Sequence, residues 1–272
     1  MPTKFFSQLR SSDLLTTQDW GSEKLKKLAE QLLSYRAPIN FLGLDDDEDD
    51  ENGEARAGGV SSSYGIPEET AKLIHHLPPD LGKKKAAVLI CLFHDEAGNL
   101  RVLLTRRANS LSSHSGEVAL PGGKRDEEDA NNAETALREA QEEIGLDSSV
   151  VRVVTYLEPF LSKHLLRVTP VVAVLLDRSK LSLTPNSGEV DAIFDAPLEM
   201  FLKEQNYRCE EREWMGLAYR VHYFDYNANS QKYLIWGLTA SILIRCATII
   251  YMRSPEFGLS PEFVPITNHI PA

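Results

Sequence analysis

Apolar residues recur along the chain at two spacings. In residues 22–35 (SEKLKKLAEQLLSY), Leu25, Leu28, Leu32 and Leu33 fall three to four apart. That is the spacing of one helical face, so the stretch predicts an amphipathic helix docked on the core or on a partner. Residues 86–93 (AAVLICLF) form an unbroken apolar run, as in a strand buried on both faces. A turn-like segment follows at 95–99, and residues 100–107 predict a second strand, so the pair reads as a hairpin. Further strand-like runs lie at 150–156, 167–176, 189–194 and 219–226, and helical patterns at 133–144, 198–203 and 239–251. This irregular alternation predicts an α/β fold, a mixed sheet covered by helices.

The pattern lapses between residues 36 and about 65, where the chain turns acidic and rich in Gly and Ser. Such composition buries too little apolar surface to offset the entropy of ordering. Three parts are therefore expected: a tail and helix at 1–36, an acidic linker at 37–82, and a compact domain at 83–272. Removing residues 1–65 is expected to leave that domain folded.

The formal net charge is -11. Eight of the acidic residues sit in residues 45–54 (DDDEDDENGE), so the rest is only mildly acidic. No broad basic face marks a nucleic-acid partner. Cys91, Cys209 and Cys246 form no CxxC pair, and Cys91 and Cys246 lie in apolar runs. That excludes a zinc-ribbon or disulfide framework and fits a reducing compartment. The longest apolar stretch, 234–252, is interrupted by Gly237, Thr239, Ser241 and Arg245, so no membrane span is expected. The expected location is cytoplasmic, with a mitochondrial alternative drawn from Lys4, Arg10 and the hydroxyl residues near the N-terminus.

Chemistry concentrates in residues 122–146 (GGKRDEEDANNAETALREAQEEIGL). Ala133, Ala136, Leu137, Ala140 and Ile144 mark one helical face. Asp129 or Asn131 can cap the start and Gly145 the end. Glu139, Glu142 and Glu143 then share one side, at i, i+3 and i+4. Like charges so spaced repel, and Arg138 offsets only part of that. A hard divalent cation with oxygen ligands would offset the rest. Gly122 and Gly123 allow close backbone approach to a metal or phosphate, and Arg106, Arg107, Lys124 and Arg125 offer cations to phosphate oxygens. Carboxylates for metal beside cations for phosphate is the inventory of metal-assisted phosphoryl hydrolysis.

Residues 138–146 (REAQEEIGL) resemble the second half of the Nudix box, R-E-U-x-E-E-x-G-U with U apolar, at every defined position. Gly123 matches its opening glycine. The family pattern places a glutamate six residues after that glycine and eight before the arginine. Here Asp129 lies six after Gly123 but nine before Arg138, so the loop holds one extra residue, and Ala130 occupies the strict position. A second block, residues 103–107 (LLTRR), Leu111 and 114–118 (HSGEV), runs into 121–126 (PGGKRD). It resembles the coenzyme A pyrophosphatase branch of the Nudix hydrolases, plant members above all, as do 158–164 (EPFLSKH) and 235–240 (IWGLTA).

The resemblance implies an α/β/α sandwich around a mixed sheet, with the metal site on a loop-helix-loop. It implies Glu139 and Glu143 as the main Mg2+ or Mn2+ ligands, Glu142 as the third carboxylate and the Gly123 carbonyl as a further ligand. Arg138 would hold one of these side chains in place, Arg106, Arg107 and Lys163 would clamp the extra 3′-phosphate of coenzyme A, and Lys124 would also bind substrate. Glu142, Glu189 and Asp191 are candidates for the general base. His164 could touch a phosphate, and Trp236 could stack on adenine or sit in the core. The expected partner is a small nucleotide of the coenzyme A type, with a homodimer left open. The alternatives are a broader dinucleotide or ADP-ribose pyrophosphatase, and a non-catalytic nucleotide-sensing module of the same fold.

Overall fold

The fold was read from a computed structural model, which describes residues 20, 22–35 and 83–258, apart from 163, 165, 215 and 216. The N-terminal tail and the acidic linker at 37–82 lie outside the described residues.

The centre of the fold is the apolar run predicted first. It forms β1 (Lys84–His94), which pairs in parallel with β7 (Leu166–Leu175) along one edge. Its other edge is shared by two partners. The outer half turns back into β2 (Leu100–Arg107), which pairs antiparallel as the expected hairpin. The inner half, Ala86 to Val88, pairs with β4 (Gly122–Lys124). β3 (Val118–Ala119) and β8 (Val190–Pro197) flank β2, while β5 (Val151–Tyr156) and the short β6 (Phe160–Leu161) pair with β7. A second, antiparallel sheet holds β9 (Tyr207–Trp214), β10 (Leu217–Ala228) and β11 (Gln231–Trp236).

Alternation along β1 divides the core. Ala87, Leu89, Cys91 and Phe93 face α2 (Asn132–Ile144), which buries Ala136, Ala140 and Ile144 against them. Ala86, Ile90 and Leu92 face the other way, toward α1 (Glu23–Ser34), α3 (Gly237–Tyr251) and the second sheet. Helices thus cover both faces of a mixed sheet, an α/β/α arrangement. The helix expected at 198–203 is instead a single 3-10 turn, Leu198–Leu202. Among the described residues no helix is long and apolar enough to cross a membrane.

The N-terminal helix docks on the core, one of the two placements its pattern allowed. Leu25, Leu28, Ala29 and Leu32 are buried in the main core. The Gln31 amide donates to the carbonyls of Ile249 and Ile250 at 3.1 and 2.9 Å. At its end, Tyr35 donates to Glu158 at 2.7 Å, and Arg245 pairs with the same carboxylate. The helix is a wall of the domain, so a truncation that takes residues 22–35 strips part of the core, against the expectation that residues 1–65 can be removed.

Candidate active site

α2 starts and stops where its sequence directs. Asn131 is the N-cap, its side-chain oxygen accepting from Glu134 N at 3.0 Å. Gly145 ends the helix in the left-handed region, φ 68°. The last-turn carbonyls of Glu143 and Ile144 accept from Asn186 N and Thr184 N, each at 2.9 Å. The segment 184–189 is thereby fastened against the glutamate end of the helix.

Glu143 is buried, with 4% of its surface exposed. One carboxylate oxygen accepts from Gly122 N at 3.1 Å, and Arg107 lies 3.6 Å from the other. Burial raises its pKa to about 7, and the nearby charges of Glu139 and Glu189 push the same way against the Gly122 hydrogen bond and Arg107. Glu139 is half-buried, and burial raises its pKa as well, with Glu142 and Glu189 adding to the rise and Arg138 opposing it. Glu142 is largely exposed.

Arg138 reaches further than the sequence reading allowed. Its Nε and one terminal nitrogen grip both oxygens of Asp129, at 3.0 and 2.9 Å. The other terminal nitrogen donates to Glu139 at 3.2 Å and to Glu142 at 3.1 Å, and the guanidinium also donates to the Lys124 carbonyl at 3.1 Å. Asp129 is buried, and hydrogen bonds from Arg138 hold its pKa at about 2. The loop carboxylate therefore serves Arg138.

The glycines have separate duties. A Cβ on Gly122 would lie 2.6 Å from Val88 Cα and against the Ala87 carbonyl, and its φ is +149°. A Cβ on Gly123 would lie within 2.5 Å of the Glu139 carboxylate. The bare Gly123 backbone is thus a cradle for that side chain.

A divalent cation suits this donor set. The ligating atoms are hard oxygens, the class that Mg2+ and Mn2+ take. Glu142 and Glu143 occupy the last helical turn, where the macrodipole is negative and no basic residue compensates. Among the described residues, however, no three carboxylate, imidazole or thiolate groups converge at ligand geometry. Arg138 engages Glu139 and Glu142, while Gly122 and Arg107 hold Glu143.

The other expected site residues are dispersed. The pairing register shifts between Arg106 and Arg107, and the two side chains leave β2 on opposite faces. Arg107 turns to Glu143. Arg106 turns to the second sheet, above the Tyr233 ring at 5.7 Å. Lys124 is exposed on β4. Lys163 lies outside the described residues. His164 is exposed, edge-on to His114 with ring centres 5.7 Å apart. Asp191 accepts from the Asn109 backbone and side chain at 3.2 and 2.7 Å and so pins a loop.

Comparison with known proteins agrees with this geometry. A family model described as NUDIX domain matches residues 83–215. Nudix hydrolase 15, mitochondrial, of Arabidopsis thaliana is 59% identical over 201 residues, spanning 74% of this chain and 70% of that protein. Nudix hydrolase 22, chloroplastic, of the same plant is 51% identical over 246 residues, spanning 88% and 77%. The mouse protein named peroxisomal coenzyme A diphosphatase NUDT7 is 38% identical over 181 residues, spanning 66% and 75%. The chain belongs to the Nudix hydrolases, enzymes that cleave diphosphate linkages and generally use divalent metals such as Mg2+ or Mn2+.

Proposed function

We propose that the chain hydrolyses the diphosphate bond of coenzyme A and acyl-CoAs to adenosine 3′,5′-bisphosphate and the (acyl-)4′-phosphopantetheine. One observation carries this reading. The block with the coenzyme A resemblance, residues 103–126, is the block that folds around Glu143, supplying Arg107 at 3.6 Å and the Gly122 N–H at 3.1 Å. The mouse relative named a coenzyme A diphosphatase supports the substrate.

In this reading Glu139, Glu143, Glu142 and the Gly123 carbonyl hold Mg2+ or Mn2+. The cation withdraws charge from the diphosphate and acidifies water when bound. Arg138 sets the approach of Glu139 and Glu142 from its anchor on Asp129. Arg107 places a positive charge beside the buried carboxylate, where an incoming phosphate oxygen can share it. A water oxygen bonds to one phosphorus as the bridging P–O bond breaks. Asp191 is engaged by Asn109 and Glu142 by Arg138. Glu189, on the fastened segment, is the remaining candidate to take the water's proton. The relatives named mitochondrial and chloroplastic support an organellar location over a cytoplasmic one, with the first of them in line with the mitochondrial alternative.

The test is a panel of coenzyme A, acyl-CoAs, ADP-ribose and NADH, each with Mg2+ or Mn2+, resolved by mass spectrometry. Coenzyme A or an acyl-CoA should have the highest kcat/KM. Glu143→Gln should lower kcat at least ~10²-fold, about 2.7 kcal/mol, and exposed Glu127→Gln should change little. A preference for ADP-ribose or NADH would overturn the substrate. Equal effects of the two substitutions would overturn the site.

A further inference from the structure

The second sheet ends at β9, which pairs with β10 along one edge and with no other strand among the described residues. Arg208 to Glu213 are all exposed. One hydrogen bond fixes which backbone groups are left over. Asp225 N donates to the Asn206 carbonyl at 2.9 Å, at the start of the β9–β10 ladder. Backbone groups of an antiparallel strand turn alternately to its two sides, so Arg208, Glu210 and Arg212 turn theirs to β10. Cys209, Glu211 and Glu213 turn theirs outward. Tyr207 N donates to the Glu204 carbonyl at 3.1 Å, and the Tyr207 carbonyl is left on the open side. An edge presenting N–H and C=O groups in this way is a template for another strand.

Charge commonly guards such an edge, above all Lys, which repels a second copy. β9 carries both signs instead. Arg208, Glu210 and Arg212 share one face of the sheet, and Cys209, Glu211 and Glu213 the other. Glu210 accepts from Arg212 at 2.7 Å, and Arg208 lies 4.5 Å from the Tyr223 ring centre. Yet the Arg208 and Glu210 side chains keep 50% and 54% of their surface exposed, so each has room for a further partner.

Symmetry selects the register. A two-fold axis that continues a sheet keeps each face on its own side, so it sets residues of one face against residues of the same face and passes at a single residue. An axis at Arg208, Glu210, Glu211, Arg212 or Glu213 sets that charge against its own copy. An axis at Tyr207 sets Glu210 against Glu204. An axis at Cys209 sets Arg208 against Glu210 at two symmetric crossings, Tyr207 against Glu211 and Arg212 against Asn206. No like charges meet there. The backbone agrees, because Cys209 exchanges its outward N–H and C=O with its copy, and Glu211 N–H meets the Tyr207 carbonyl.

We propose that β9 is a self-association edge: two copies of this chain pair β9 antiparallel about a two-fold axis at Cys209, joining their three-stranded sheets into one. An eight-residue edge buries less than the ~1,200–2,000 Å2 of stable interfaces, so the dimer is weak and forms with concentration.

The experiment is sedimentation of the full chain from about 1 µM to 1 mM, the range of weak complexes. Wild type should show a monomer–dimer equilibrium. Arg208→Glu puts like charges at both crossings, and so does Glu210→Arg. Each alone should raise the dimer Kd roughly tenfold to a hundredfold, while thermal melts show the fold intact. An equimolar mixture of the two variants restores opposite charges at both crossings and should dimerise within a few-fold of wild type. A short bis-maleimide gives a second readout. Cys91 and Cys246 are buried, so it should couple Cys209 to Cys209 in wild type and in the mixture, and much less in either variant alone. A monomer at every concentration would overturn the proposal. So would a dimer that both substitutions leave unchanged, or a mixture that stays monomeric, since either places the contact or the register elsewhere.

Discussion

Replacing each of the adjacent glycines by alanine should produce two different failures. On Gly122 the new methyl meets backbone, Val88 Cα at 2.6 Å and the Ala87 carbonyl, on the central strand. Neither can move without moving β1. The residue must also hold φ at +149°, a region costing a side chain about 1–3 kcal/mol, and overpacking adds about 1–3 kcal/mol more. Gly122→Ala should therefore lose about 2–6 kcal/mol, lowering Tm by roughly 4–24 °C for a domain of this size. On Gly123 the methyl meets the end of the Glu139 side chain, within 2.5 Å, where ordinary contact begins at 3.4 Å. The carboxylate must retreat by about 1 Å, and the backbone has no reason to follow. Gly123→Ala should melt within a few degrees of wild type yet lose about 10²-fold in kcat, the scale of an ångström's misplacement in an active site. Thermal melts and steady-state kinetics with saturating Mg2+ measure both. Full activity in Gly123→Ala would show that the Glu139 carboxylate is not needed where it lies, and an unaltered Tm in Gly122→Ala would refute the backbone argument.

Two further outcomes concern stability. Leu32→Ala, at a fully buried position of α1, should cost about 2–5 kcal/mol by denaturant unfolding, with exposed Glu30→Ala as control; an unchanged midpoint would mean that α1 is not core. His222 is buried, bonded through Nδ1 to the Tyr207 hydroxyl at 3.0 Å. Burial, and then the Arg220 charge, lowers its pKa to about 4. The unfolded chain takes up this proton near pH 6.5 and the folded chain does not, so stability should fall by up to about 3 kcal/mol as pH drops from 6.5 to 4. His222→Gln should flatten that slope, and unfolding curves with an unchanged slope would contradict the assignment.

What the chain disclosed in advance follows from where its signals are local. The 3.6-residue period placed α2 to within one residue of its start, and Asn131 and Gly145 carry their capping roles in their own chemistry. β1 and β2 were legible because burial makes their residues apolar. β9 (YRCEEREW) was not, because it lies on an open antiparallel sheet and its charges read as loop. Arg106 and Arg107 were both offered to phosphate, but alternation along β2 sends them to opposite faces, and which neighbour each meets depends on long-range packing. Glu189 could be named as a carboxylate, but its nearness to Glu143 depends on the hydrogen bonds of Thr184 and Asn186, which are contacts of backbone and so carry no side-chain signature.

The grip of Arg138 on Asp129 and the Lys124 carbonyl makes the site indifferent to the contour length of the chain between them. The guanidinium registers only that a carboxylate comes back to one place, and not how many residues were used in returning. An insertion between Lys124 and Asp129 can therefore bulge into solvent while the helix, the glycine cradle and the glutamates keep their alignment. The additional residue that breaks the expected spacing is absorbed on the helix side of Asp129, where the Arg125 guanidinium ties down the carbonyls of Asp129 and Ala130. Related chains should vary in this loop by insertion and deletion more readily than they exchange the acid at its far end.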